Sequence, residues 1–239
     1  MSSSRLLSLF YLLSFSLFLK LALAQSPVAY QCSSPTTFSP NGNFSQNLNN
    51  LMNYLDAQTP LTGFGNGTVG QNLNQVYGLA LCRGDINTTD CQACVTEAIN
   101  EVQNICPLKT EAFIWYNYCQ FKYSNLNFLG QIDHTEWYYQ KNPVNASNPV
   151  YFNAQVKDLF TNLESQAVAS PKLYANGTLA IANSTTLYGL AQCTRDLSST
   201  NCQSCIGIAI DIFQYGGEGG KIMGGSCNIR FEIYPFLNS

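Results

Sequence analysis

Apolar positions in the first third of the chain recur at helical spacing. Phe44, Leu48, Leu51, Met52 and Leu55 stand at i, i+4, i+7, i+8 and i+11, which is one face of an α-helix. Phe152, Val156, Leu159, Phe160 and Leu163 repeat that spacing. Two runs, residues 75–82 and 186–193, are almost continuously apolar and predict buried strands. A second helical pattern follows each run, with Asp90 and Asn201 as the expected N-caps. Its inward face is Cys94, Val95, Ala98, Ile99 and Val102, and then Cys205, Ile206, Ala209, Ile210 and Phe213. Alternation takes over in residues 112–123 and 221–234, which read as strands. The first would carry Phe113, Trp115, Cys119, Phe121 and Tyr123 on one face. Strands gathered around two helices, with no βαβ rhythm, predict an α+β fold with an antiparallel sheet.

Everything in that pattern occurs twice because the sequence itself is duplicated. VYGLALCRGDINTTDCQACVTEAI, residues 76–99, reappears as LYGLAQCTRDLSSTNCQSCIGIAI, residues 187–210, with 12 of 24 positions identical. Upstream, Asn66, Gly67 and Thr68 match Asn176, Gly177 and Thr178, while Leu51, Leu55 and Gln58 match Leu159, Leu163 and Gln166. The expected organisation is a leader over residues 1–24, a first domain over 25–140, a linker over 141–149 and a second domain over 150–239. The linker, KNPVNASNP, is chosen for its two prolines. The glycine-rich run 216–225 lacks the order of a phosphate-binding loop and reads as a flexible hairpin connection.

The leader sets the compartment. Arg5, an apolar run over residues 6–19 and Ala22-Leu23-Ala24 have the order of a cleaved secretory signal. The apolar run is shorter than the roughly 20 residues of a spanning helix, and no later segment reads as a membrane anchor. N-glycosylation triplets at Asn43, Asn66, Asn87, Asn145, Asn176 and Asn183 suit the same extracellular route. Only 10% of residues are charged, the net charge is −3 and no Lys/Arg block occurs, which excludes a nucleic-acid footprint.

Ten cysteines in an oxidising compartment imply disulfides. A metal site is a poor alternative, since His134 is the only imidazole and free thiolates do not last outside the cell. No cofactor is called for. The first copy holds Cys32, Cys82, Cys91, Cys94, Cys106 and Cys119; the second holds Cys193, Cys202, Cys205 and Cys227. The second copy has no counterpart of Cys32 and Cys106, near Gln140 and Gly217. Partners are lost together because a lone thiol is reactive, so Cys32 pairs with Cys106. A Cys91–Cys94 bond within one helical turn would be strained, and two pairings of the remaining four stay open.

The C-x8-C-x2-C motif after YGLAxC, with a distal cysteine in SCNIRFE (residues 226–232), resembles the plant ginkbilobin-type domain. That domain builds the extracellular half of cysteine-rich receptor-like kinases and, in tandem, cysteine-rich repeat secretory proteins. The resemblance covers nearly the whole chain after the leader. It implies bonds Cys82–Cys91, Cys94–Cys119, Cys193–Cys202 and Cys205–Cys227, and two helices packed on an antiparallel sheet. It also implies an apoplastic role in plant defence or stress signalling.

Catalysis would have to rest on His134, which lies between the copies, or on Glu97 and Glu101, one turn apart on a solvated helix face. Neither makes an active site, and the chain reads as a non-enzyme. Founding members of the resembling family bind mannose through an Asn, an Arg and a Glu. Ser33, Phe113 and Ser124 occupy those positions in the first copy; the second retains Lys221 and Glu232, with Arg230 beside them. A carbohydrate site would use these three, whereas a plain surface would pair Lys221 with Glu232 across the strands. The other class of partner is an apoplastic protein engaged by aromatic residues. Trp115 is expected to pack against helices or between the copies, and Tyr116 and Tyr118 to be exposed, with Trp137, Tyr138 and Tyr139 following. Mass spectrometry of the secreted chain should find Gln25 at the N-terminus and no free thiol; Cys32 recovered as a thiol would refute its pairing with Cys106.

Overall fold

The computed structural model describes residues 26–32, 35–134, 137–182 and 184–238; the leader, Ser33 and Asn183 lie outside the described residues. The first unit runs β1 (Ala29–Gln31), α1 (Asn43–Thr62), β2 (Phe64–Val69), β3 (Val76–Cys82), α2 (Thr88–Ile105), β4 (Glu111–Trp115) and β5 (Cys119–Ser124). The second runs β6 (Trp137–Lys141), α3 (Pro149–Ala169), β7 (Tyr174–Ala180), β8 (Thr186–Cys193), α4 (Ser199–Ile212), β9 (Gly219–Gly224) and β10 (Cys227–Glu232). Their antiparallel sheets have the same topology, β1-β4-β5-β3-β2 and β6-β9-β10-β8-β7.

Both long helices bury the face that the spacing predicts, Phe44 to Leu55 on α1 and Phe152 to Leu163 on α3. They press on one side of their sheets beside α2 and α4. The structure bonds Cys32–Cys106, Cys82–Cys91, Cys94–Cys119, Cys193–Cys202 and Cys205–Cys227, so α2 and α4 are each tied to two strands of their own sheet.

Several local expectations shift. The N-caps are Asn87 and Ser198, whose side chains accept from the Asp90 and Asn201 N–H groups at 2.9 and 3.1 Å. Asp90 and Asn201 are therefore the residues being capped, because a capping oxygen reaches an N–H three positions onward. Residues 112–123 and 221–234 are not single strands but hairpins, β4–β5 and β9–β10. The turn reverses the alternation: Phe113 and Trp115 point away from the helices, while Cys119, Phe121 and Tyr123 join the core under them. Residues 137–141, expected to straddle domain and linker, form the edge strand of the second sheet. Pro149 opens α3 with Asn148 as its cap. Much of the glycine run expected to be a flexible connection is strand β9 itself.

The far faces of the two sheets meet, giving layers in the order helix, sheet, sheet, helix. Phe113, Trp115 and Met223 form one cluster across this interface. Trp115 Nε1 donates to the Gly224 carbonyl at 3.4 Å and Gln192 Nε2 to the Cys82 carbonyl at 3.0 Å. Beside them Lys122, buried on β5, donates to Asp133 and lies 4.4 Å from the Phe128 ring centroid. Removing one partner of a buried ion pair strands the other charge, which costs about 3–5 kcal/mol. Denaturant unfolding of Asp133→Ala should show a loss of that size, and a Lys122→Met/Asp133→Leu double variant should recover most of it.

Candidate functional site

The β9–β10 hairpin places Lys221, Arg230 and Glu232 on the far face of the second sheet. The ladder pairs Lys221 with Arg230 and Glu232 with Gly219. A side chain at 219 would put its Cβ 2.0 Å from the Glu232 carboxylate, so glycine is what lets that carboxylate lie across the neighbouring strand. The expected Lys221–Glu232 ion pair does not form. Arg230, two residues away on the same face, takes Glu232 at 3.0 Å instead. Lys221 turns to the first unit, where its Nζ donates to Asn117 Oδ1 at 3.1 Å.

Asn117 sits at the tip of the β4–β5 turn, and its carbonyl accepts from Arg83. Arg83 grips Asp85 at 2.6 Å and stacks over Tyr118 and Phe236. The Phe236 ring lies between Arg83 of one unit and Arg230 of the other, with Arg230 4.2 Å from its centroid. Burial would raise the Asp85 carboxyl, but hydrogen bonds from Arg83 and the Asn238 N–H hold it below the usual carboxylate range. The last described residues thus strap the second unit to the first.

Together these groups border a polar cavity of about 360 Å³, with Asn117, Lys221, Arg230 and Glu232 on its walls. Gln140 and Asn142 add amides, and Tyr234, 48% exposed, supplies an aromatic rim. In the first unit the register puts Phe113, Lys122 and Ser124 where the second has Lys221, Arg230 and Glu232. There Phe128 and Asp133 cover Lys122.

The remaining expected positions are not part of this site. Tyr116, expected to be exposed, is buried, and its hydroxyl is pushed up to about 12 by burial and then by Glu97 and Glu101. The turn to β5 folds it under α2 while Tyr118 stays half-buried. Trp115 packs between the copies. His134 is exposed, and among the described residues no three His, Cys, Asp or Glu side chains gather as metal ligands do. Asn43, Asn66, Asn87, Asn145 and Asn176 are exposed. Asn117, Gln140, Asn142 and Tyr234 were not anticipated, since no motif marks them and Asn117 comes from the other copy.

A model of the salt stress response/antifungal family matches residues 31–126 and 139–234. An antimicrobial ginkbilobin-2-like protein of Castanea crenata is 43% identical over 242 residues, spanning 100% of both chains. Cysteine-rich repeat secretory protein 38 of Arabidopsis thaliana is 43% identical over 208 residues, 85% of this chain and 82% of that protein. In fold, the chain resembles the tandem DUF26 ectodomain of an Arabidopsis thaliana cysteine-rich receptor-like protein, with a TM-score of 0.77 at 23% identity over 87% of this chain and 98% of that one. Among the described residues no helix is long and apolar enough to cross a membrane.

Burial first, and then repulsion from Arg230, pulls the Lys221 ammonium down to about 8 against a partial offset from Glu232. The folded chain then binds fewer protons than the unfolded chain between about 8 and the ordinary lysine value of 10.5. The contribution of Lys221 to stability therefore rises with pH through that window, and the charged amine costs stability below it. The difference in unfolding free energy between the wild-type chain and Lys221→Met, measured across the window, should show this rise.

Proposed function

Because the chain belongs to the salt stress response/antifungal family, we propose that it acts without catalysis, as a secreted binder of cell-wall or microbial carbohydrate. It is a cysteine-rich secretory protein of a family tied to defence and stress. The observation that carries the carbohydrate reading is the convergence of Lys221, Arg230 and Glu232 on one polar cavity completed by Asn117. A sugar ring offers hydroxyls on its edge and C–H groups on its faces. The site answers with charged donors and an acceptor on its walls and Tyr234 at its rim. Arg230 orients the Glu232 carboxylate in advance, which lowers the ordering cost of binding. Glycans on the exposed asparagines, and on Asn183, belong to the same extracellular reading.

The aromatic residues that favoured a protein partner are largely engaged internally, Trp115 between the sheets and Tyr116 under a helix. That leaves the sugar reading the better supported of the two. Charged hydrogen bonds are worth about 1.5–3 kcal/mol, a loss of roughly 10- to 150-fold in affinity when one is removed. A glycan array should give a hit that free sugar competes away. Glu232→Gln and Lys221→Ala, with circular dichroism and melting unchanged in kind, should each lose affinity by that factor. A blank array together with capture of a purified receptor ectodomain would overturn the reading in favour of a protein-interaction module.

A further inference from the structure

The two units differ at one corner of their cores. In the first, the Phe38 N–H donates to the Leu108 carbonyl at 2.9 Å, and Thr37 bridges Lys109. The Phe38 ring packs on Phe44 with centroids 5.0 Å apart. The second unit repeats this backbone: the Ala146 N–H donates to the Gly216 carbonyl at 3.0 Å, and Asn145 bridges Gly217. Phe152 occupies the place of Phe44, but Ala146 occupies the place of Phe38. A methyl group cannot fill the space of a phenyl ring, and a packed corner that loses one keeps a void unless its neighbours collapse.

Here the neighbours have not collapsed. A cavity of about 350 Å³ opens beside Ala146 and Phe152, with Tyr151, Ile181 and Ile233 adding apolar wall. Glu218 is the one charged residue on its lining, and among the described residues its carboxylate makes no ion pair. Ser147, Asn148 and Thr185 add neutral polar residues to the lining. The cavity shares no lining residue with the polar cavity at Lys221.

We propose that this cavity is a binding site for a small aromatic amine. The aromatic ring takes the position that Phe38 fills in the sister unit, and the ammonium group is drawn to Glu218. Burying a ring against apolar walls supplies the affinity. Glu218, the one charged residue on the lining and in no ion pair among the described residues, discriminates against aromatic acids. The site is independent of carbohydrate binding.

Titration of the full chain with phenethylamine, followed by ligand-observed NMR, tests this directly. Binding is expected at least tenfold tighter than for 3-phenylpropionate. Transferred NOEs from the ring protons should reach the Ala146 methyl and the methyls of Ile181 and Ile233. Ala146→Phe, which restores the side chain of the sister unit, should abolish binding and raise the melting temperature. Glu218→Gln should erase the preference for amine over acid, while Lys221→Ala should leave it intact. No binding of phenethylamine at millimolar concentration, equal binding of the acid, or NOEs to other methyls would overturn the proposal. The NOEs locate the ring even if Ala146→Phe does not fold.

Discussion

Each sheet in this protein has two faces to cover, and helices cover only one of them. The other face is covered by the second sheet, and much else in the structure depends on that contact. It buries Leu79, Leu81 and Leu190 on the strands at the centre of the sheets, together with polar Gln120, Lys122 and Gln192. A polar group taken out of water costs free energy unless it finds a partner. Gln192 finds one in the carbonyl of Cys82 across the interface, and Lys122 finds one in Asp133 on the connecting segment. The described part of the connection, up to His134, is pinned to the second unit: the Asp133 N–H donates to Ser226 and the Gly130 N–H to Asp196. The two units pack against each other, and the candidate site sits at the rim of their seam.

Duplication followed by divergence explains the asymmetry. The first unit ties its edge to the end of α2 with the Cys32–Cys106 bond. In the second unit Lys141 stands at the register position of Cys32, and its stem lies against Gly217, where any Cβ would be 2.9 Å from it. The same edge carries Ala146 in place of Phe38. Conversely the first unit fills the Lys221 position with Phe113 and covers Lys122, spending on the interface the positions that stay open in the second.

Low charge fits this arrangement. The interface covers two of the four sheet faces and the helices cover the other two, so solvent meets the outer sides of the helices and the rims. Four of the charged side chains, Arg83, Arg230, Asp85 and Glu232, gather around Phe236 and the strap that follows β10.

The helical faces of α1 and α3 were legible in the sequence because a helix at a core must repeat its apolar residues at 3.6. The double unit was legible because a duplicated sequence repeats its constraints, and the loss of two cysteines in one copy pointed to Cys32 and Cys106 as partners. The turns within residues 112–123 and 221–234 were not legible. Phe113 and Phe121 are equally apolar, since one faces a second sheet and the other faces helices, and alternation cannot tell two buried faces apart. For the same reason Tyr116 looked exposed. Lys221, Arg230 and Glu232 could be named from the sequence, but not their partners. Arg230 rather than Lys221 holds Glu232 because Gly219 clears its path, and Lys221 is held by Asn117, over a hundred residues away in the chain. Local periodicity and duplication are written along the chain, so the sequence by itself determined the units and their cores. Contact between the far faces of two sheets depends on how whole domains dock, and only the tertiary structure decided which side chains that contact buries and which it leaves lining a cavity.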